Sequence, residues 1–328
     1  MADFKDIIGH EQVIHHMQNA IRQKKFSHAY LLCGEAGSGK RPVAEAFAKT
    51  ILCEEGGIVA CGKCKSCKQA ESGNHPDFRV VVREKATLGV KEIREQVTAD
   101  VQIKPYSSEY KIYLIDEAEK MTEEAQNALL KTIEEPPEYA VFLLLCSRQE
   151  LLLETVLSRC VLLPFYPVTA GKIKQFLMEK KGVPDYLAES AAAFSGGLVG
   201  RAVQYAESEE FSEQRNEVLR LVKQIDGMSM AEITESVKAF AAKKDAAPEY
   251  LDMILLWYRD VLLYKATKDA GSLMFKDERD AVAAQAVKRS FENLHKITEA
   301  VEQMKQRMKA NVNFENALEL LLLYMKEV

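Results

Sequence analysis

Ala29-Tyr30-Leu31-Leu32-Cys33-Gly34-Glu35-Ala36-Gly37-Ser38-Gly39-Lys40-Arg41 is the stretch from which the architecture unfolds. An apolar run, Ala29–Cys33, reads as a strand, and apolar residues at helical spacing from Ala44 to Leu52 read as a helix. Between them lies the G-x-x-x-x-G-K frame of a phosphate-binding loop in its required strand–loop–helix setting. Gly34, Gly37 and Gly39 let backbone N–H groups turn inward around an anion, and the helix N-terminus adds partial positive charge. Lys40 would reach the terminal phosphates. The next position calls for Ser or Thr, whose hydroxyl binds Mg²⁺ between the β- and γ-phosphates. Here it is Arg41. Arginine carries donors only and stays protonated, so it cannot ligate a cation. Its guanidinium would pair with phosphate or simply occupy the metal's place. Pro42 follows in the first helical turn, where a missing N–H costs little. Efficient hydrolysis is not expected here, and ATP binding without hydrolysis stays open.

Downstream, further strands are expected at Phe78–Val82, Ile112–Ile115, Ala140–Leu145 and Cys160–Leu163, alternating with helices such as Glu123–Ile133. That alternation is the pattern of an α/β fold, a parallel sheet covered by helices on both faces. The third strand runs into Asp116-Glu117, the acidic pair of a Walker B element. Asp116 would hold the metal's water shell and Glu117 would polarise the attacking water. The plainer alternative is two acidic residues capping the next helix. Pro136-Pro137 ends the helix before the fourth strand, and Pro164 and Pro167 mark a domain boundary. Beyond them strand signals vanish. Helices are expected at Lys172–Lys180 and Pro184–Phe194, then almost continuously from Glu209. This last region includes the apolar Pro248–Lys265, one long amphipathic run from Arg279 to Met308, and Phe314–Met325.

Cys53, Cys61, Cys64 and Cys67 form C-x7-C-x2-C-x2-C, with His75 beyond them. Two C-x-x-C spacings sharing Cys64 let thiolates converge, and Cys53 can supply a fourth vertex. A structural zinc ion with four thiolates is the favoured occupant, against an iron–sulfur cluster or a redox dithiol. Lys63, Lys65 and Lys68 would offset the charge. Cys33, Cys146 and Cys160 fall in or beside apolar strands and read as core residues.

Composition narrows the function. The 328 residues are 47% hydrophobic, enough for a sizeable core and two or three domains. Forty-four Lys and Arg against 49 Asp and Glu give a net charge of −5, unlike a dedicated nucleic-acid binder. No apolar run reaches the ~18 residues of a membrane span. Met1-Ala2-Asp3-Phe4-Lys5-Asp6 has neither a basic leader nor an apolar stretch, and seven cysteines without a leader suit a reducing compartment. A cytoplasmic protein with no membrane contact is expected.

These features together resemble the clamp-loader branch of the AAA+ ATPases, which serves the bacterial DNA polymerase III holoenzyme. The resemblance rests on Ile7-Ile8-Gly9-His10-Glu11, His28-Ala29-Tyr30-Leu31-Leu32, the four-cysteine insertion, Asn127-Ala128-Leu129-Leu130-Lys131-Thr132-Ile133-Glu134-Glu135-Pro136-Pro137, Leu157-Ser158-Arg159-Cys160, and Ser195-Gly196-Gly197 leading to Gly200-Arg201-Ala202. It implies a hetero-pentamer of motor, delta-like and other clamp-loader subunits that uses ATP to open a sliding clamp and close it around primed DNA. It further implies an AAA+ core over residues 1–166 with the cysteine insertion at about 53–67, a helical lid over 167–207 and a helical collar over 208–328. By the same resemblance Arg159 is an arginine finger acting in trans on nucleotide held by a neighbouring subunit. Arg201 falls at the second sensor, and Cys146-Ser147 replaces the usual Thr pair of the first. These departures suit a non-hydrolysing subunit of that branch. An ATP-hydrolysing motor with Arg41 compensated, or a stand-alone DNA-binding AAA+ protein, are the rival readings.

Overall fold

The computed structural model describes residues 3–243, 247–309 and 314–327, so the Met1-Ala2 part of the leader reading lies outside the described residues. Two compact units emerge. The first runs to Lys172 and takes back Gly197–Arg201; the second holds Ile173–Gly196 and the chain from Ala202.

The first unit follows the order α1 (Glu11–Gln23), β1 (Ala29–Cys33), α2 (Lys40–Ile51), α3 (Lys65–Glu71), β2 (Phe78–Val81), α4 (Val90–Ile93), β3 (Lys111–Ile115), α5 (Glu123–Glu134), β4 (Ala140–Cys146), α6 (Glu154–Leu157) and β5 (Val161–Pro164). The five strands form one parallel sheet in the order β2-β3-β4-β1-β5. Strand side chains alternate between two buried layers, as period-two geometry dictates. Leu31, Tyr113, Ile115 and Phe142 face one layer with Leu129 and Ile133 of α5. Tyr30, Leu32, Ile112 and Leu143 face the other with Met17 of α1 and Phe47 of α2. Every residue of β3 and β4 is buried, which explains why, apart from Lys111 at the start of β3, their sequences read as unbroken apolar runs. The expected strands are present, with ends shifted by a residue or so: Phe78–Val82 stops at Val81, and Cys160–Leu163 becomes Val161–Pro164.

This topology places β1 inside the sheet between β4 and β5. The phosphate loop leaves its carboxyl end, the end of a parallel sheet where ligands gather.

Among the described residues after β5 the regular elements are helical: α7 (Ala170–Lys181), α8 (Asp185–Phe194), α9 (Val199–Glu207), α10 (Glu209–Gln224), α11 (Met230–Ala241), α12 (Ala247–Thr267), α13 (Arg279–Lys288), α14 (Phe291–Lys309) and α15 (Phe314–Glu327). In the second unit Trp257 of α12 is fully buried and donates from Nε1 to Gln285 Oε1 at 2.9 Å. The expected single helix from Arg279 to Met308 is two helices. Arg289 is extended, with φ −96° and ψ 142°. Its side chain turns inward to Asp226 and to the carbonyl of Met325 at 2.9 Å. Ser290 then accepts from Asn293 N–H at 3.0 Å and starts α14. A partly buried ion pair and a capping serine thus override a periodicity that runs on unbroken.

Candidate functional site

The loop between β1 and α2 is glycine-rich for steric reasons. Gly37 and Gly39 have φ of +82° and +98°, where a side chain would be strained. A Cβ on Gly34 would lie 2.6 Å from the carbonyl oxygen of Phe165. Gly34 N–H donates to Cys146 O at 3.1 Å, and Phe165 N–H donates to Cys33 O at 2.7 Å, so the loop's root is clamped between β4 and the end of β5. Lys40 is buried and its ammonium donates to the carbonyls of Gly34 and Glu35, the latter at 2.8 Å. Burial lowers the Lys40 pKa, opposed by Cys146, Glu119 and Asp116 nearby. His10, from the stretch at residues 7–11, has a structural task at this loop. Its Nε2 lies 2.8 Å from Ser38 O, and because a carbonyl can only accept, Nε2 carries the proton. Burial lowers the His10 pKa, although the bond to Ser38 opposes this, so the ring is neutral near pH 7.

Arg41 stands in the first turn of α2 and bridges two carboxylates. Nε donates to Glu45 at 2.9 Å, and Nη1 donates to Asp116 at 3.2 Å. Asp116 is the Walker B acid, so the expected metal carboxylate faces a guanidinium. Glu117 is occupied too. Its carboxylate pairs with Lys120 at 2.6 Å and with Arg83 at 2.5 Å, and its backbone is left-handed at φ 51°. The hydrogen bond from Lys120, helped by Arg83, holds Glu117 below the usual carboxylate range. Sequence reading missed Arg83, Lys120 and Glu45. Arg83 is 34 positions away and arrives because β2 pairs with β3, a juxtaposition no local pattern signals.

At the first sensor, Cys146 is buried, and Ser147 offers its N–H to Glu119 Oε1 at 3.1 Å. Gly200 N–H donates to Gly37 O at 2.8 Å, which lays the turn bearing Arg201 against the loop; the Arg201 side chain is exposed. Arg159 lies apart from this cluster, just past α6. Nη2 pairs with Glu134 Oε1 at 2.7 Å, and Nη1 donates to Thr155 O at 3.0 Å and to Ser158 Oγ at 3.2 Å. About two-fifths of the side chain is exposed, so its charge is held at the surface. Gln126, which sequence reading also overlooked, holds the backbone that leads into α6. The buried amide donates to Met121 O and Leu151 O and accepts from Leu153 N–H at 2.8 Å, fixing the approach to α6.

The four cysteines converge. Sγ atoms of Cys53, Cys61, Cys64 and Cys67 all lie within 4.8 Å of one another, and these four can hold a metal ion. Cys61 and Cys67 sulfurs are 3.9 Å apart, against about 3.8 Å for neighbouring ligands of tetrahedral zinc with ~2.3 Å bonds. Backbone N–H groups of Lys63 and Cys64 point at Cys61 Sγ, both at 3.4 Å, and Cys67 N–H points at Cys64 Sγ at 3.3 Å. The first two lower the Cys61 thiol to about 7, within reach of the thiolate a metal needs. Burial pushes the Cys67 thiol up. His75 is not a fifth candidate: its Nε2 meets Ser66 Oγ at 2.9 Å and its Nδ1 accepts from Asp77 N–H. Ser66 in turn donates to Leu52 O at 2.5 Å, and buried Lys49 pairs with Glu71 at 2.5 Å, so the cluster is stapled to α2. Lys63, Lys65 and Lys68 are exposed around it.

Sheet order, loop and acidic pair define a P-loop protein of the AAA+ class with a second, helical unit. Comparison with known proteins narrows this. Residues 9–169 match the family described as DNA polymerase III, delta subunit, and residues 209–327 match DNA polymerase III, delta subunit, C terminal. DNA polymerase III subunit delta' of Bacillus subtilis is 33% identical over 315 residues, covering 95% of this chain and 94% of that protein. Its counterpart in Pseudomonas aeruginosa is 33% identical, covering 90% of each chain. The tau subunit of Bacillus subtilis is 29% identical over 96% of this chain but only 60% of its own length. The chain belongs to the delta-prime family of DNA polymerase III subunits. Among the described residues no helix is long and apolar enough to cross a membrane.

Proposed function

We propose that this clamp-loader subunit is a non-hydrolysing stator that completes a neighbour's ATP site with Arg159. The observation that carries the reading is the contrast between two arginines. Arg41 is tied to Glu45 and Asp116 at the chain's own loop, whereas Arg159 sits at the surface on a bridge to Glu134 and on bonds to its own turn. A guanidinium so placed can exchange Glu134 for the phosphate of a partner, where it stabilises the charge that develops during phosphoryl transfer. Hydrolysis at the chain's own loop lacks both the hydroxyl ligand and free acids, since Asp116 and Glu117 are paired. The partners would be motor and delta-like subunits in a hetero-pentamer, acting on a sliding clamp and primed DNA in the cytoplasm. Residues 167–207 would serve as a lid and 208–328 as the collar that anchors the ring. Zinc is the metal proposed for the four cysteines, where it would staple a loop and leave no open position for chemistry. The test is an assembled complex carrying Arg159→Ala in this subunit. DNA-stimulated ATP turnover should fall at least about tenfold, as loss of an arginine finger implies; undiminished turnover would remove the trans role.

A further inference from the structure

We infer that Arg41 does the divalent cation's work, so that the loop binds the polyphosphate of a nucleotide free of its magnesium ion. The inference deepens the non-hydrolysing reading of this loop and is independent of Arg159. The metal half of the site is closed. A Mg²⁺ ion would need the hydroxyl that Arg41 has replaced and the carboxylate of Asp116, which already accepts from Arg41 Nη1 at 3.2 Å. A cation entering there would also meet a fixed like charge.

The phosphate half is intact. Gly37 and Gly39 hold the left-handed conformations that a phosphate-cradling loop requires, and Lys40 is buried with its ammonium on the loop carbonyls of Gly34 and Glu35. The Ser38 side chain, 2% exposed, tucks in beside Gly34 with its hydroxyl unpartnered. A buried hydroxyl with no partner is costly unless a ligand supplies one. Arg41 uses Nε on Glu45 and Nη1 on Asp116, and a guanidinium has five N–H donors, so donors remain for a phosphate oxygen beside those bonds. An anion that reaches Lys40 therefore meets two fixed cations, where an active P-loop offers one lysine and a metal.

The experiment is ATP binding to the full-length chain by titration calorimetry, once with excess Mg²⁺ and once with EDTA, for wild type, Arg41→Thr, Arg41→Lys and Lys40→Ala. The metal is preloaded at the cysteines and its retention checked by elemental analysis. Wild type should bind ATP with affinities equal within about twofold in the two buffers. Arg41→Thr restores a hydroxyl and releases Asp116, and should bind at least about tenfold tighter with Mg²⁺ than without. Arg41→Lys keeps a cation that cannot ligate metal and should stay indifferent to Mg²⁺. Lys40→Ala should lose binding in both buffers. Wild-type binding that weakens tenfold in EDTA, absence of wild-type binding, or an Arg41→Thr chain that ignores Mg²⁺ would each overturn the inference. None of these outcomes measures turnover, so the stator reading stands or falls separately.

Discussion

The cysteine cluster and the phosphate loop flank the same helix: one closes on the end of α2, the other opens into its start. At the cluster, four sulfurs converge within reach of a single ion, and backbone N–H donors are aimed at Cys61 and Cys64. At the loop, the place for a cation is filled by the chain's own Arg41. The contrast is between a cluster of donors that can hold a metal ion and a loop whose carboxylates are already paired with protein cations. The first leaves its acidic or soft donors facing one another. The second pairs each donor with a protein cation, as Asp116 is paired with Arg41, and Glu117 with Lys120 and Arg83. Persistence of an acidic pair is therefore no sign of catalysis here.

The sharpest way to break this comparison is metal removal. A strong chelator should destabilise the first unit by about 3 kcal/mol or more, because a structural metal's binding energy is folding energy. Thermal unfolding of the Cys67→Ser chain should show the same loss and then no further response to chelator. If chelation still lowered the melting temperature of that variant, a second metal would be bound, and the loop would be its first suspect. Next in size is Gln126→Ala. It strands the carbonyl of Leu151 and the N–H of Leu153, and should cost about 1–3 kcal/mol by denaturant unfolding. It should also slow turnover of the assembled complex, because Gln126 holds the approach to Arg159. The smallest effect is expected of Glu117→Gln. Its ion pairs are substantially exposed, so solvent screening limits the loss to under about 1 kcal/mol, and the assembled complex should hydrolyse ATP at its usual rate. The pH dependence has a definite sign. Lys120 and Arg83 depress the folded pKa of Glu117, so its contribution is present above the ordinary carboxylate range and is lost as pH falls through that depressed value. The stability gap between wild type and Glu117→Gln should therefore close in acid; a gap that widened there would contradict the pairing.

Much of this is legible in the sequence. Strands buried on both faces leave unbroken apolar runs, and C-x2-C-x2-C is a local signal, so sheet and cluster could be read from neighbours in the chain. The helix break at Arg289 could not, because it depends on Asp226, 63 positions away, while the amphipathic period continues through it. The same holds at the loop. Arg41 was visible as a departure, but its partner Asp116 is 75 positions distant and is delivered by pairing of β3, β4 and β1. Gln126 gave no signal, since a glutamine at a buried helical position reads like any polar residue until the backbone it serves is placed.

One measurement decides whether Lys40 or Arg159 of this subunit supports turnover. Two complexes would be assembled that differ from wild type only in this subunit, one with Lys40→Ala and the other with Arg159→Ala, and DNA-stimulated ATP hydrolysis compared. Turnover preserved with Lys40→Ala and lost with Arg159→Ala is the predicted result. Loss with Lys40→Ala and preservation with Arg159→Ala would place hydrolysis in this chain's own loop and contradict the stator.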